Sequence, residues 1–237
     1  MMSPKIAVCG EASEAWPLVQ YIAPDHQKVY VVGDIHGCYT LLMHQLKQLQ
    51  FDFEKDLLIG VGDLIDKGPE SWQCLHLLQQ HWFRMVRGNH EQLCIQGSQH
   101  PYFKKLHQKY GGEWFYQLKP QQQAQIIARL KQLPVLIQLN LAHKTVGIAH
   151  GDIGVDDWNL LKQTLELSDH ADQASYAPVL WGRSRIRDEQ KYGTVRNIDE
   201  IYLGHTIVAE VLQKHNCFFI DTGAYQSQQL TILQVSP

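Results

Sequence analysis

Polar residues stand directly behind several short apolar runs, and their types are those that bind metal ions. The runs near 29–32, 57–61 and 82–86 are followed by GDIHG (33–37), GDLIDKG (62–68) and RGNHE (87–91). Two later runs end in HGD (150–152) and GHT (204–206). Imidazole nitrogens with carboxylate and amide oxygens suit Mn, Fe, Zn and similar divalent ions. The residue types therefore indicate metal-assisted chemistry.

The spacing of these turns favours one shared site. Asp34, Asp63 and Asn89 follow one another at intervals of 29 and 26 residues, close to the length of about 30 residues of one β-α-β unit. Ligands gather at the carboxyl ends of the strands in α/β sheets. A single Gly-Asp turn is often only structural, but three successive units with the same polar turn are hard to explain by packing. The residues expected to converge are Asp34, His36, Asp63, Asn89, His150 and His205, with one carboxylate available to bridge two ions.

The elements that must position these residues alternate between strand and helix. Helical spacing of apolar residues predicts helices at 39–50, 70–81, 90–96 and 121–132, the second with Trp72, Leu75 and Leu78 on one face. The second half is richer in strand candidates, at 136–141, 145–149, 201–203, 218–220 and 230–235. We expect loops and short helices over 155–200, covering one rim. The pattern predicts an α/β fold of two packed sheets with helices outside.

Composition excludes several classes of protein. The 237 residues are 44% hydrophobic and 19% charged, typical of a globular chain. The net charge of −3 argues against a general nucleic-acid binder. Five scattered cysteines without a CxxC pair are expected to be reduced, buried apolar residues rather than disulfides or zinc ligands. Since no signal peptide or membrane span is evident, we expect a cytoplasmic protein.

The ordered motifs resemble those of the PPP-type metallophosphoesterases, the family of bacterial and phage Ser/Thr protein phosphatases. The likeness runs from about Val29 to Val235 and includes IDTGA at 220–224. It implies a four-layer α/β sandwich, with two mixed β-sheets flanked by helices. This calcineurin-like domain would span residues 28–237, and residues 1–27 would be an N-terminal extension of unknown role.

The resemblance also implies an activity, hydrolysis of serine and threonine phosphate monoesters in phosphoproteins or phosphopeptides. The ligands of the first divalent ion would be Asp34, His36 and Asp63. Those of the second would be Asp63, Asn89, His150 and His205. The ions are expected to be Mn²⁺, with Fe, Zn, Ni, Co or Mg as alternatives, and a hydroxide between them would attack phosphorus in line. We expect a monomer that binds neither nucleic acid nor membranes.

The remaining roles follow from the same match. His90 corresponds to the general acid, Asp66 to its orienting carboxylate, and Lys67, Arg183 and Asn89 to phosphate-binding groups. Lys67 stands where the family usually has Arg, so we expect a weaker grip on phosphate, since Lys lacks the planar fork of a guanidinium. Arg185 or Arg187 could replace Arg183 if the register is shifted, and an ordinary solvated basic loop is the alternative for all three.

Other functions and other residues stay open at this point. The alternative activity is a symmetrical diadenosine tetraphosphate hydrolase of the same superfamily, which Asp66 and Glu91 disfavour. A nuclease and an inactive phosphoprotein-binding module are further alternatives. The aromatic stretch 110–116 is expected in the core rather than in a substrate groove. The other nine histidines are predicted to be surface or helix polar residues, namely residues 26, 44, 76, 81, 100, 107, 143, 170 and 215.

Overall fold

The computed structural model describes residues 17–168, 173–188 and 191–236. Within them the strands are β1 (Val19–Ile22), β2 (Val29–Val32), β3 (Leu57–Gly60), β4 (Phe83–Met85), β5 (Leu136–Asn140), β6 (Thr145–Ile148), β7 (Glu200–Leu203), β8 (Leu212–Lys214), β9 (Cys217–Phe219) and β10 (Ile232–Gln234). The α-helices are α1 (Tyr39–Gln48), α2 (Ser71–Cys74), α3 (Asn89–Gly97), α4 (Pro101–His107), α5 (Glu113–Tyr116), α6 (Pro120–Lys131), α7 (Trp158–Glu166), α8 (Gln173–Trp181), α9 (Ser184–Arg187) and α10 (Ala224–Ser227). A 3₁₀ turn covers Leu75–Gln79 and a π-helical turn Gln108–Gly112. None of the described helices is long and apolar enough to span a bilayer.

The strands form two mixed sheets. The smaller sheet has the order β10-β2-β3-β4, with β2, β3 and β4 parallel and β10 antiparallel to β2. The larger sheet has the order β1-β5-β6-β7-β9-β8, in which β6 runs parallel to β7. The parallel strands bring their carboxyl ends, and the polar turns behind them, to one edge of each sheet. The predicted α/β class with two sheets is confirmed.

Three apolar clusters separate four layers. Alternation along β2 sends Val29 and Val31 toward the larger sheet, where they join Ile137 and Ile148 in the cluster between the sheets. The intervening Tyr30 belongs to the cluster that α1, α3 and α6 cover. A third cluster, centred on fully buried Trp158 of α7, covers the outer face of the larger sheet. Burying such side chains contributes about 1.5–3 kcal/mol each. The layers are helices, sheet, sheet and helices, as expected.

Local signals explain where the outer helices begin. Asp157 precedes α7 and its carboxylate accepts the backbone N–H groups of Asn159 and Leu160, which caps the helix. Pro120 opens α6, where its missing N–H costs nothing. The helices α7, α8 and α9 occupy the region 155–200, where short helices and loops were expected.

The helix predicted over residues 70–81 is wrong in length and in face. The chain forms the single turn α2 and then the 3₁₀ turn, and Trp72 is 41% exposed. Because a 3₁₀ turn has three residues per turn, the phase of the buried face shifts. Cys74, Leu75 and Leu77 are buried, and Leu78 is only partly buried.

The chain termini of the described region complete the sheets. Residues 19–22, inside the expected N-terminal extension, form β1 and pair in parallel with β5.

Four cysteines (Cys38, Cys74, Cys94 and Cys217) are free and buried, as expected. Cys9, His170 and residues 1–16 lie outside the described residues.

Candidate active site

The polar turns meet at one edge of the two-sheet sandwich, and Asp63 lies at their centre. Asp63 Oδ2 is 3.3 Å from His36 Nε2, and Asp63 Oδ1 is 3.3 Å from His150 Nε2. The carboxylate therefore separates two imidazoles that come from different sheets. Among the described residues, two groups of metal-capable atoms share Asp63: one with His36 and His90, the other with His150 and His205. In each group the ligand atoms lie within 4.8 Å of one another.

The backbone of this site is held in conformations that non-glycine residues seldom adopt. His36, Asp63, Asp66 and His205 have φ values of 44°, 49°, 73° and 67°. Left-handed residues of this kind cost on the order of 1–3 kcal/mol each and persist only where the surroundings hold them. Glu91 does so for Asp63, because its buried carboxylate accepts the backbone N–H groups of Asp63 (3.0 Å), Leu64 (2.9 Å) and Gly88 (2.8 Å).

The hydrogen bonds of two imidazoles decide which nitrogen faces Asp63. His36 Nδ1 lies 3.0 Å from the Ile65 carbonyl and His150 Nδ1 lies 2.9 Å from the Val61 carbonyl. A carbonyl only accepts, so each Nδ1 carries the proton and each Nε2 presents a lone pair. Burial lowers the pKa of His36 to about 3, which keeps it neutral near pH 7. Neutral imidazole is the form that binds metal.

In the second group, more ring nitrogens converge on Asn89 than can donate to it. His150 Nε2 and His205 Nδ1 both lie 2.8 Å from Asn89 Oδ1. His205 Nε2 is buried and has no hydrogen-bond partner among the described residues. Burial lowers the pKa of His205 to about 2. The lone pair of His150 Nε2 faces an amide oxygen and His205 Nε2 is unpaired within the described part of the chain, so this set of nitrogen and oxygen atoms fits a metal ion.

Buried negative charge is the second reason why cations fit here. Asp34, Asp63 and Asp221 are each 2% exposed. Burial, followed by the charges of Asp221 and Asp63, raises the pKa of Asp34 well above its ordinary value. The Asp34 carboxylate accepts the backbone N–H of His205 at 3.0 Å. Residue 204 has to be glycine, since a Cβ there would overlap Asp34 Oδ1.

Asp221 is a member of this charged cluster that the sequence analysis did not single out. Its only signal was its place in the IDTGA motif. Burial raises its pKa, and the charge of Asp63 adds to that effect. None of the described cysteines belongs to either metal-capable group, so the site offers nitrogen and oxygen donors without thiolate.

His90 and Asp66 lie in direct hydrogen-bond contact. His90 is the second residue of α3, and its Nδ1 is 2.9 Å from Asp66 Oδ2. Its other ring nitrogen, Nε2, lies 3.9 Å from Asp63 Oδ2. Burial opposes the charged imidazole, but Asp63 and the bond to Asp66 outweigh it and raise the pKa of His90. The ring therefore has one nitrogen fixed by Asp66 and one directed into the site.

The surroundings of Asp66 contain two residues whose contacts were not predicted. His107 was predicted to be a surface or helix polar residue; it is the last residue of α4 but is fully buried, and its Nε2 is 2.9 Å from Asp66 Oδ2. Trp114 Nε1 donates to Asp66 Oδ1 at 2.8 Å. Burial raises the pKa of Asp66, but the bonds from His107 and His90 outweigh it and bring the value to about 2. Phe115 is fully buried, so this part of the aromatic stretch belongs to the core.

The basic side chains lie at the rim of the site. Lys67 is exposed, and its Nζ is 2.8 Å from His36 Nε2 and 4.7 Å from the centre of the Tyr225 ring. Arg183 is half-buried, and one of its guanidinium nitrogens is 3.5 Å from the His205 carbonyl oxygen. Arg185 does not replace it, because Arg185 is buried and bound to Asp156 at 2.6 Å. Arg187 is exposed.

Comparison with known proteins identifies the family of the chain. The sequence model of the calcineurin-like phosphoesterase family matches residues 27–209. The chain is 36% identical to serine/threonine-protein phosphatase 1 of Salmonella typhimurium over 216 residues, which are 90% of this chain and 94% of that protein. A stretch of 64 residues (26% of this chain and 23% of the other) is 44% identical to the symmetrical bis(5'-nucleosyl)-tetraphosphatase of Buchnera aphidicola.

A solved structure supports the fold. The crystal structure of a putative diadenosine tetraphosphatase superposes with a TM-score of 0.64 at 19% identity, covering 93% of this chain and 94% of the other. The family uses divalent metal ions, and the groups around Asp63 are ones that can hold them. The chain therefore belongs to the calcineurin-like phosphoesterase family and is a hydrolase of the PPP type.

Proposed function

We propose that the protein is a metal-dependent phosphoprotein phosphatase that hydrolyses serine and threonine phosphate monoesters. The observation that carries the proposal is the position of Asp63, 3.3 Å from an imidazole nitrogen on each side, with the His90–Asp66 pair beside it. The relative with 36% identity over 90% of the chain is named as a serine/threonine-protein phosphatase. The site residues and the substrate are part of this proposal.

Two divalent ions would be held by the nitrogen and oxygen donors around Asp63. Asp34, His36 and Asp63 would hold one, and Asp63 would share the other with Asn89, His150 and His205. Mn²⁺ is the ion we propose, because the donors are imidazole, carboxylate and amide. Bound there, the ions would supply an activated water and positive charge for the phosphoryl oxygens.

The chain's own cations would complete the binding of phosphate. The protein carries a net charge of −3, so positive charge has to be concentrated locally. Lys67 and Arg183 stand on different sides of the site, beside His36 and His205 respectively. Their charges would balance the equatorial oxygens of the phosphoryl group as it is transferred. Asn89 would contribute its side-chain amide to the same oxygens.

His90 would protonate the leaving group. The bond between phosphorus and the serine or threonine oxygen breaks, water supplies the new oxygen, and the departing alkoxide takes a proton from His90 Nε2. Asp66 accepts from His90 Nδ1, so the proton to be transferred is the one on Nε2. An alkoxide is a poor leaving group, and a positioned general acid is worth about 10²–10⁴-fold in rate.

Hydrolysis of symmetrical diadenosine tetraphosphate is the second candidate. The 64-residue stretch with 44% identity to a tetraphosphatase favours it. Asp66 and Glu91 disfavour it, since relatives with that activity typically lack the first and have Asp in place of the second. Glu91 accepts three backbone N–H groups of the Asp63 and Gly88 turns within 3.0 Å.

One set of assays separates these activities. Metal-stripped protein, with Mn²⁺ restored, would be offered a phosphoserine peptide, diadenosine tetraphosphate and single-stranded DNA. We expect phosphate release from the peptide. A His90→Asn variant should lose that activity while binding the same amount of Mn²⁺, since Asp34 rather than His90 would be the ligand beside His36 and Asp63. Turnover of diadenosine tetraphosphate alone would establish the second candidate. Absence of metal-dependent turnover on all three substrates would refute both.

A further inference from the structure

The Asp66 carboxylate is shared by two imidazoles. His90 Nδ1 and His107 Nε2 each lie 2.9 Å from Asp66 Oδ2, and Trp114 Nε1 donates to Asp66 Oδ1 at 2.8 Å. Asp66 and His107 are both fully buried. The carboxylate is thus held by three N–H donors, of which only His90 also reaches the metal-capable groups.

The proton positions along this chain of groups follow from the acceptors. An ionised carboxylate only accepts, so His107 donates from Nε2 and presents a lone pair at Nδ1. Tyr116 Oη lies 3.0 Å from that Nδ1 and can donate its hydroxyl proton to it. Burial raises the pKa of Tyr116, so the hydroxyl keeps its proton. Tyr116, His107, Asp66 and His90 therefore form one hydrogen-bonded chain that reaches the site: Tyr116 donates to His107, and His107 and His90 both donate to Asp66.

The surrounding backbone is shaped to admit this chain. The π-helical turn contains Gly111 with φ of 102°, and it turns the chain so that His107 and Trp114 reach the same carboxylate. A Cβ at Gly112 would overlap the His107 ring, and a Cβ at Gly97 of α3 would overlap Tyr116 Oη. Two glycines thus leave room for the two side chains that stand behind Asp66.

We propose that His107 is a positioning residue for the general acid: together with Tyr116 it fixes the Asp66 carboxylate so that His90 Nε2 faces the leaving oxygen. The inference rests on the proposed function of His90. With His107 absent, Asp66 Oδ2 would have His90 as its single imidazole partner, and only Trp114, on Oδ1, would still hold the carboxylate against rotation about its bond to the Cβ atom. His90 would follow it, and protonation of the leaving group would slow while phosphate binding at the metals stayed the same.

The test compares leaving groups that need different amounts of protonation. We would measure His107→Phe on a phosphoserine peptide, whose alkoxide needs a full proton, and on p-nitrophenyl phosphate, whose phenolate needs little. We expect kcat on the peptide to fall by about tenfold, a fraction of the value of a general acid, with a distinctly smaller fall on the aryl ester. KM should stay within about twofold on both. His107→Gln can still donate to Asp66 and accept from Tyr116, so it should restore most of the peptide rate.

Controls make the outcomes distinct. His44→Phe, on the exposed face of α1, is the matched control and should change neither rate. Bound Mn²⁺ and the unfolding midpoint would be measured for each variant; if His107→Phe does not fold, Tyr116→Phe provides the same comparison. Equal losses on both esters would show a merely structural role and overturn the inference. The proposed function itself fails in two cases: if His90→Asn loses the same factor in kcat on the peptide and on the aryl ester, or if the wild type does not hydrolyse the peptide.

Discussion

Replacing Asp66 by Asn tests whether the carboxylate behind His90 is ionised and needed. The substitution keeps the shape of the side chain, removes its charge and puts an NH₂ group where an oxygen now accepts hydrogen bonds. The three donors around it, on His90, His107 and Trp114, lie within 2.9 Å, so at least one of them would face another donor. A buried donor without an acceptor costs about 1–3 kcal/mol.

The pKa of Asp66 expresses the same hydrogen bonds as a free energy. The pKa of Asp66 falls from 3.8 to about 2 because the bonds from His107 and His90 outweigh burial. A shift of about 2 units corresponds to about 2–3 kcal/mol in favour of the ionised form. Asp66→Asn has no ionised form, so we expect it to lower the free energy of unfolding of the metal-free protein by about 2 kcal/mol at pH 8.

The assay is urea unfolding, followed by kcat on a phosphoserine peptide with Mn²⁺ restored. We expect kcat to fall by about 10²-fold or more, since a general acid is worth about 10²–10⁴-fold and His90 would lose its fixed orientation. Asp25→Asn, at an exposed residue, is the matched control for loss of a carboxylate. A free energy of unfolding within 0.5 kcal/mol of wild type (roughly the effect of a surface substitution), together with an unchanged kcat, would refute this account of Asp66.

Three further outcomes follow from the same geometry. The Asp66 carboxyl carbon, followed by NMR in metal-free protein, should titrate near pH 2. Because the folded pKa lies below the unfolded one, the contribution of Asp66 to the free energy of unfolding is present above about pH 4 and is lost as the pH falls toward 2. A midpoint at or above 3.8 would contradict this. Calorimetry should find two Mn²⁺ per chain, and each ion at 100 times its Kd should add about 2.7 kcal/mol to the free energy of unfolding. Asp63→Asn should weaken Mn²⁺ binding at both sites, and loss of only one site would argue against a bridging carboxylate. Arg183→Ala should raise KM for the phosphopeptide by about tenfold, the effect of about 1.4 kcal/mol, whereas exposed Arg187→Ala should change it little; the reverse order would move the phosphate contact to α9.

The metal-capable groups were predictable because each motif follows a strand directly. Residues 33–37, 62–68 and 87–91 begin within three residues of the ends of β2, β3 and β4, which are parallel neighbours. Parallel pairing carries the ends of such strands to one edge whatever the details of packing. Metal chemistry in turn restricts the side chains there to a few types. Parallel pairing and ligand type together were enough to predict that His36, Asp63 and Asn89 meet, whereas His150, which follows β6 of the larger sheet, reaches them through the packing of the two sheets.

Other parts of the fold depend on contacts that no local pattern records. β10 joins β2 across some 200 residues of sequence, and β1 joins β5 across more than 100. Residues 70–81 have helical spacing, but the chain tightens into a 3₁₀ turn after Cys74 and buries Leu77 rather than Leu78. In both cases tertiary packing, not propensity, decides the outcome.

His107 was missed for a chemical reason rather than a lack of signal strength. A metal ligand must offer a lone pair of a particular kind, whereas a carboxylate such as Asp66 accepts from any N–H or O–H donor of the right length. The chemistry therefore requires particular residue types at Asp66 and His90, but any residue with a suitable donor could support Asp66. The restriction is steric instead. A Cβ at Gly112 would overlap the His107 ring, and a Cβ at Gly97 would overlap Tyr116 Oη. For a supporting residue of this kind, the signal in the sequence is a glycine that packs against a buried imidazole. That signal can be interpreted only when the fold shows which ring the glycine contacts.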